Sequence, residues 1–288
     1  MKVARQVIEV IDPIYVMEGA GVRLRRSIAT QKLDYLDPFL LFDHFGSDDP
    51  QDYLAGFPMH PHRGIETVTY LLDGLVNHKD SMGNSGTLAK DDVQWMTSGS
   101  GIIHEEMPKP DKGKMEGFQL WVNLPTKLKM TTPRYQEVKS SQIPEIRLEN
   151  GVMVKIIAGE MDGVKGAVTE IFADPMYLDV NMPRKSDFEQ PIKRGYTVFA
   201  YVIEGEGIFG EFDEESSKKG TTVLSTELLI FGDGDYVKVK TDQNPVRFLL
   251  ISGKPLNEPI ARYGPFVMNT SEEIEQALID LRTDNFVK

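Results

Sequence analysis

The sequence predicts an all-β protein built from two similar domains and closed by one short C-terminal α-helix. Three observations support this. Most of the chain reads as short β-branched and aromatic runs punctuated by Gly, Asp, Asn and Pro. Examples are Thr67-Val-Thr-Tyr-Leu-Leu72 before Asp73-Gly74 and Val198-Phe-Ala-Tyr-Val-Ile203 before Glu204-Gly205, a pattern typical of antiparallel sandwiches and barrels. These runs also repeat each other. The segment from Arg63-Gly64 to Gly74 lies over Arg194-Gly195 to Gly205 without a gap at an offset of 131 residues, and Gly99-Ser-Gly101 lies over Gly232-Asp-Gly234 at 133. An internal duplication into two β-domains of about 130 residues each follows. Finally, Thr270-Ser-Glu-Glu273 is a capping box, followed by Ile274, Ala277, Leu278 and Leu281 at helical spacing, which predicts an amphipathic helix packed on the β-structure.

The join between the domains falls in the polar stretch 127–149, where Pro133 and Pro144 interrupt charged sequence. We place it at 134/135, giving an N-terminal domain 1–134 and a C-terminal domain 135–288 that ends in the helix.

With 40% hydrophobic and 26% charged residues over 288 positions, the composition is that of a globular chain. The longest apolar runs, 198–203 and 248–251, fall far short of the roughly 20 residues that span a bilayer. The N-terminus, Met-Lys-Val-Ala-Arg-Gln-Val-Ile-Glu, lacks the unbroken apolar core of a secretory signal. The expectation is a cytoplasmic monomer, nuclear as well in a eukaryotic source. A net charge of -12 weighs against direct nucleic-acid binding, which rests on clustered Lys and Arg. The compact basic group Arg23, Arg25 and Arg26 is expected to pair with the surplus carboxylates. With no cysteine in the chain, any metal must be held by nitrogen and oxygen.

The chemistry concentrates in two short segments. His60 and His62 lie two residues apart in Gly56-Phe-Pro-Met-His-Pro-His-Arg-Gly-Ile-Glu66, and His104 and Glu106 repeat the spacing in Gly99-Ser-Gly-Ile-Ile-His-Glu-Glu106. Residues i and i+2 of a strand share a face, so two such pairs on neighbouring strands can surround one ion with three imidazoles and a carboxylate. Glu66 rivals Glu106 for the fourth position, because it would share the face of His62 on an ideal strand. A bulge at Gly64 would reverse that parity. We take Glu106 as the ligand and keep Glu66 as an acid–base candidate, with ion pairing to Arg63 as its plain structural alternative. His44 and His78 have no spaced partner and read as hydrogen-bonded packing residues. Trp95, Trp121, Phe57 and Phe118 are candidates for an aromatic wall, against the simpler expectation that each packs in a core. In the duplication, His60 and His62 fall opposite Pro191 and Lys193, and His104 and Glu106 opposite Val237 and Val239, so the second domain cannot build this site. Neutral imidazoles with one carboxylate suit Fe, Mn, Cu, Ni or Zn.

At these residues the chain resembles pirin and its bacterial relatives in the cupin superfamily. The likeness spans nearly the whole sequence. It includes Asp37-Pro-Phe-Leu-Leu-Phe-Asp43, the segment from His60-Pro-His-Arg-Gly to Leu72, Val93-Gln-Trp-Met96, Gly101-Ile-Ile-His-Glu-Glu-Met-Pro108, Leu120-Trp-Val-Asn123 and Gly264-Pro-Phe-Val-Met-Asn-Thr270. The resemblance implies a bicupin, two jelly-roll β-barrels packed face to face. It also implies one divalent metal, iron, held by His60, His62, His104 and Glu106. Two functions follow from it. One is a quercetin 2,3-dioxygenase activity on a flavonol with O₂ that releases carbon monoxide, with Glu106 or Glu66 taking the hydroxyl proton. The other is an iron-dependent, redox-sensing regulator that binds protein partners.

Overall fold

A computed structural model describes residues 2–109, 114–211 and 220–287 of the protein. Among these residues the fold is all-β with one α-helix, Ser271–Arg282. It divides into two compact units, one made of Ile14–Ser140 with Leu256–Lys288 and the other of Met1–Pro13 with Ser141–Pro255. Relative to a division at 134/135, the units exchange their termini. The N-terminal strand Val7–Ile11 pairs with Leu228–Phe231 in the second unit. The C-terminal hairpin and helix belong to the first unit.

Among the described residues, the first unit has two large sheets and a two-stranded hairpin, Ala261–Tyr263 with Phe266–Met268. Seven strands run in the spatial order Arg134–Val138, Val93–Thr97, Ile65–Asp73, Met115–Asn123, Phe39–Ser47, Val22–Ile28, Ile14–Glu18. Four more run in the order Phe57–His62, Ile102–Lys109, Leu75–Asp80, Ser85–Leu88. The central strand Ile65–Asp73 is buried almost throughout, and apart from Glu66 and Asp73 it carries β-branched, aromatic and leucine side chains. Gly74, at φ 93°, ends that strand and turns the chain into Leu75–Asp80 of the other sheet.

The duplication expected from sequence is visible in the topology. In the second unit Leu228–Phe231, Thr197–Phe209, Val246–Gly253, Met176–Met182 and Met153–Ala158 follow one another, as Val93–Thr97, Ile65–Asp73, Met115–Asn123, Phe39–Ser47 and Val22–Ile28 do in the first. Thr197–Phe209 runs on through Gly205 and pairs in its second half with Thr221–Leu224 and Tyr236–Lys240. The interior of this unit is apolar. Val237 and Val239, the counterparts of His104 and Glu106, are fully buried in a cluster with Phe188, Phe209 and Phe248.

The helix begins as predicted. The Thr270 hydroxyl accepts from the Glu273 amide at 3.2 Å and the Glu273 carboxylate accepts from the Thr270 amide at 3.0 Å. Ile274 and Ala277 pack against Phe266, Met268 and Phe286. Leu281 departs from the amphipathic reading and is exposed, because the inward position of that turn is taken by Asp280, which pairs with buried Arg63. No helix among the described residues is long and apolar enough to cross a membrane.

Candidate metal centre

The strand Phe57–His62 carries His60 and His62 on one face, and Ile102–Lys109 pairs with it antiparallel so that His104 lies directly opposite His60. Directly opposed residues share a face, and the three rings converge. Their centroids are 4.8 Å (His60–His62), 4.5 Å (His60–His104) and 5.1 Å (His62–His104) apart. One potential ligand atom from each lies within 4.8 Å of the other two, the only such group among the described residues. The turns on either side require glycine. A Cβ on Gly64, at φ 81°, would overlap the Val267 carbonyl, and one on Gly99, at φ 47°, would overlap the Thr131 carbonyl.

His62 and His104 are buried, at 3% and 1% exposure. Burial, reinforced by the neighbouring imidazoles, pushes both well below the ordinary histidine pKa, so both are neutral with a lone pair available at neutral pH. His60 donates its Nδ1 hydrogen to the Pro58 carbonyl at 2.9 Å, which leaves Nε2 as its electron-pair donor. Nδ1 of His62 and both ring nitrogens of His104 are buried with no hydrogen-bond partner. Orphaned buried nitrogens are costly. A cation would satisfy one nitrogen of each ring, so the three-imidazole donor set fits a metal.

Glu106 lies outside the 4.8 Å grouping of the three histidines but lines the same cavity as His60 and His62. It is 8% exposed, and its Oε1 sits 2.9 Å from the Thr69 hydroxyl, which is also 2.8 Å from Gln119 Oε1. Glu66 is placed differently. Gly64 ends the strand that bears the histidines, and Glu66 belongs to Ile65–Asp73 of the other sheet. There its carboxylate accepts from the Thr97 hydroxyl at 2.7 Å, and it does not line the cavity. Parity counted from His62 does not reach it, because the two residues are not on one strand.

The cavity has a volume of about 460 Å³, within the range of sites for drug-sized ligands. Phe57 and Trp121 line it, and Trp121 stands edge-on to His62 with centroids 5.1 Å apart. Trp95 and Phe118 are core residues, 1% and 0% exposed. Arg26 forks onto Asp43 at 2.8 and 2.7 Å and reaches Glu18 at 2.6 Å, the pairing expected of the basic group. His44 is a packing residue against Phe118, beside Glu116. His78 pairs with Glu137 and lies opposite Glu106 in the ladder between Ile102–Lys109 and Leu75–Asp80. Sequence reasoning missed that proximity, along with Thr69, Gln119 and Arg262. These residues come from separate strands with no shared spacing.

Comparison with known proteins agrees with this geometry. The Pirin family model matches residues 21–122, and the Pirin C-terminal cupin domain matches residues 177–287. A pirin-like protein of Solanum lycopersicum is 46% identical over 266 residues, covering 91% of this chain and 86% of its own. A Pseudomonas aeruginosa protein provisionally named quercetin 2,3-dioxygenase is 43% identical over 283 residues, covering 96% of both. The crystal structure of quercetin 2,3-dioxygenase from Acinetobacter baumannii superposes with a TM-score of 0.87 at 33% identity, covering 98% of each chain. With both halves matched in order and the histidine-lined barrel in the first, the chain belongs to the pirin family.

Proposed function

We propose that the protein is a metal-dependent dioxygenase that opens a flavonol such as quercetin with O₂ and releases carbon monoxide. The observation that carries this reading is the convergence of three imidazoles on the wall of a cavity of about 460 Å³. The names of the Pseudomonas and Acinetobacter relatives support it. His60, His62, His104 and Glu106 would hold a divalent ion, iron in this reading. Such an ion would supply Lewis acidity and a redox couple for O₂.

The chain's own groups do the rest. Glu106 accepts the flavonol 3-hydroxyl proton, and Thr69 steadies its carboxylate. Glu66 receives no part in proton transfer, because it lies off the cavity. Phe57 and Trp121 flank the space for the flavonol rings, and the apolar wall limits water around the reacting ring.

The test is an aerobic assay of quercetin consumption and carbon monoxide release, run beside His62→Ala. The metal-loaded wild type should release carbon monoxide and the variant should not. Equal release from a metal-depleted variant would remove this site from the reaction. The regulatory reading makes the opposite forecast, namely no turnover and a partner affinity that differs between ferrous and ferric protein.

A further inference from the structure

The cavity wall is charged away from the histidines, and the charges are unevenly compensated. Arg26 is neutralised twice, by the bidentate contact with Asp43 and by Glu18. Arg262, on the short strand Ala261–Tyr263, has no such partner. Its described contacts are a hydrogen bond from Nη1 to the Leu40 carbonyl at 3.2 Å and the face of Trp121, 5.2 Å from guanidinium carbon to ring centroid. Among the described residues no carboxylate forms an ion pair with it; Arg26 and the acids Asp34, Asp43 and Glu18 act on it only from longer range.

Its position is nonetheless fixed. The strand Ala261–Tyr263 pairs with Phe266–Met268. That hairpin is clamped by the Val267 amide donating to the Arg63 carbonyl at 3.1 Å and by Lys129 donating to the Val267 carbonyl at 2.8 Å. The turn residues Gly264 and Pro265 line the cavity together with Arg262. Arg262 over the face of Trp121, and Trp121 edge-on to His62, form a contiguous row that separates the guanidinium from the imidazoles by one aromatic ring. A planar guanidinium has five donors, and a single backbone acceptor uses only part of that capacity. A fixed cation with spare donors on a cavity wall recognises an oxyanion.

We propose that Arg262 is a specificity-determining residue that selects phenolic ligands bearing an anionic substituent, a carboxylate or sulfonate, remote from the oxygens that face the histidines. This rests on the reading of the cavity as a flavonol site, but it concerns binding and not ring opening, so the two can fail separately. Quercetin and quercetin-5′-sulfonate are suitable probes. Their affinities for metal-loaded protein would be measured by calorimetry without O₂ at low salt, for wild type, Arg262→Gln and Arg262→Lys.

The sulfonate should bind wild type about tenfold more tightly than quercetin, as one charge-assisted contact provides. That preference should vanish in Arg262→Gln, survive in part in Arg262→Lys, and shrink with added salt. Unchanged metal content and melting temperature would show that both variants are folded. Equal wild-type affinities, an equal loss for both ligands in Arg262→Gln, or no binding of either probe would overturn the inference. Arg262-dependent preference without carbon monoxide release would uphold it and sink the dioxygenase reading instead.

Discussion

Arg63 and Asp280 are 217 residues apart in the chain and 2.7 Å apart in the fold. Arg63 follows His62 directly and is 1% exposed. Its guanidinium also donates to the Ser100 carbonyl at 2.6 Å and the Phe286 carbonyl at 3.3 Å, and it covers the Phe286 ring. The C-terminal helix is thereby fastened to the strand that bears the histidines. Removing one partner leaves a buried charge alone, so Asp280→Ala should lower stability by about 3–5 kcal/mol. Urea denaturation measures this. The double variant Arg63→Met/Asp280→Leu should be less destabilised than the single one.

Metal removal gives a second expectation. A ligand bound only by the folded state stabilises it by about 2.7 kcal/mol at a free concentration of 100 times its Kd. Treating the wild type with a chelator should lower its melting temperature. His104→Ala, lacking one imidazole, should contain little metal by elemental analysis, and its melting temperature should not respond to the chelator.

Thr69 tests the role assigned to Glu106. Its hydroxyl holds the carboxylate at 2.9 Å, and such supporting partners are worth about 10–100-fold in metal affinity or activity. Thr69→Val keeps the shape and removes the hydroxyl. Turnover or metal affinity should fall by that factor, while the circular dichroism spectrum stays unchanged. Wild-type behaviour would show that Glu106 needs no such support.

Lys129 predicts a pH dependence of stability. Its ammonium is 1% exposed and donates to the carbonyls of Gly64 and Val267 and to Asn123. Burial lowers it from 10.5 to about 8, against the opposing pull of Glu258 and Glu273. The folded state therefore holds this proton less tightly than the unfolded chain. Between pH 8 and 10.5 the unfolded state binds more protons, so this group makes stability rise with pH across that window, by at most about 3 kcal/mol. Denaturation curves across the window should show this rise in wild type relative to Lys129→Met.

The sequence went far toward the site where the relevant rule was local. Alternation along a strand put His60 with His62, and the facing strand brought His104 opposite them, while Glu106 lines the same cavity outside that grouping. The same rule failed for Glu66, because Gly64 carries the chain from one sheet to the other between it and His62. For the helix, the capping box at Thr270 and Glu273 and the burial of Ile274 and Ala277 were legible. Leu281 was misread because an apolar side chain carries no mark of which way its turn faces, and Asp280 took the inner position.

The chain's own order of residues determined the all-β class, the duplication, and which half holds the imidazoles. Each of these three follows from short-range periodicity or from matched segments, and none depends on distant contacts. Tertiary structure alone decided that the two units trade their terminal segments, that Arg63 closes on Asp280, and that Arg262 joins a cavity built from strands far away in sequence. A terminal strand or helix finds its place by burying its apolar face and satisfying its polar groups against a surface that exists only after the barrel has formed, so no local pattern could encode where it docks.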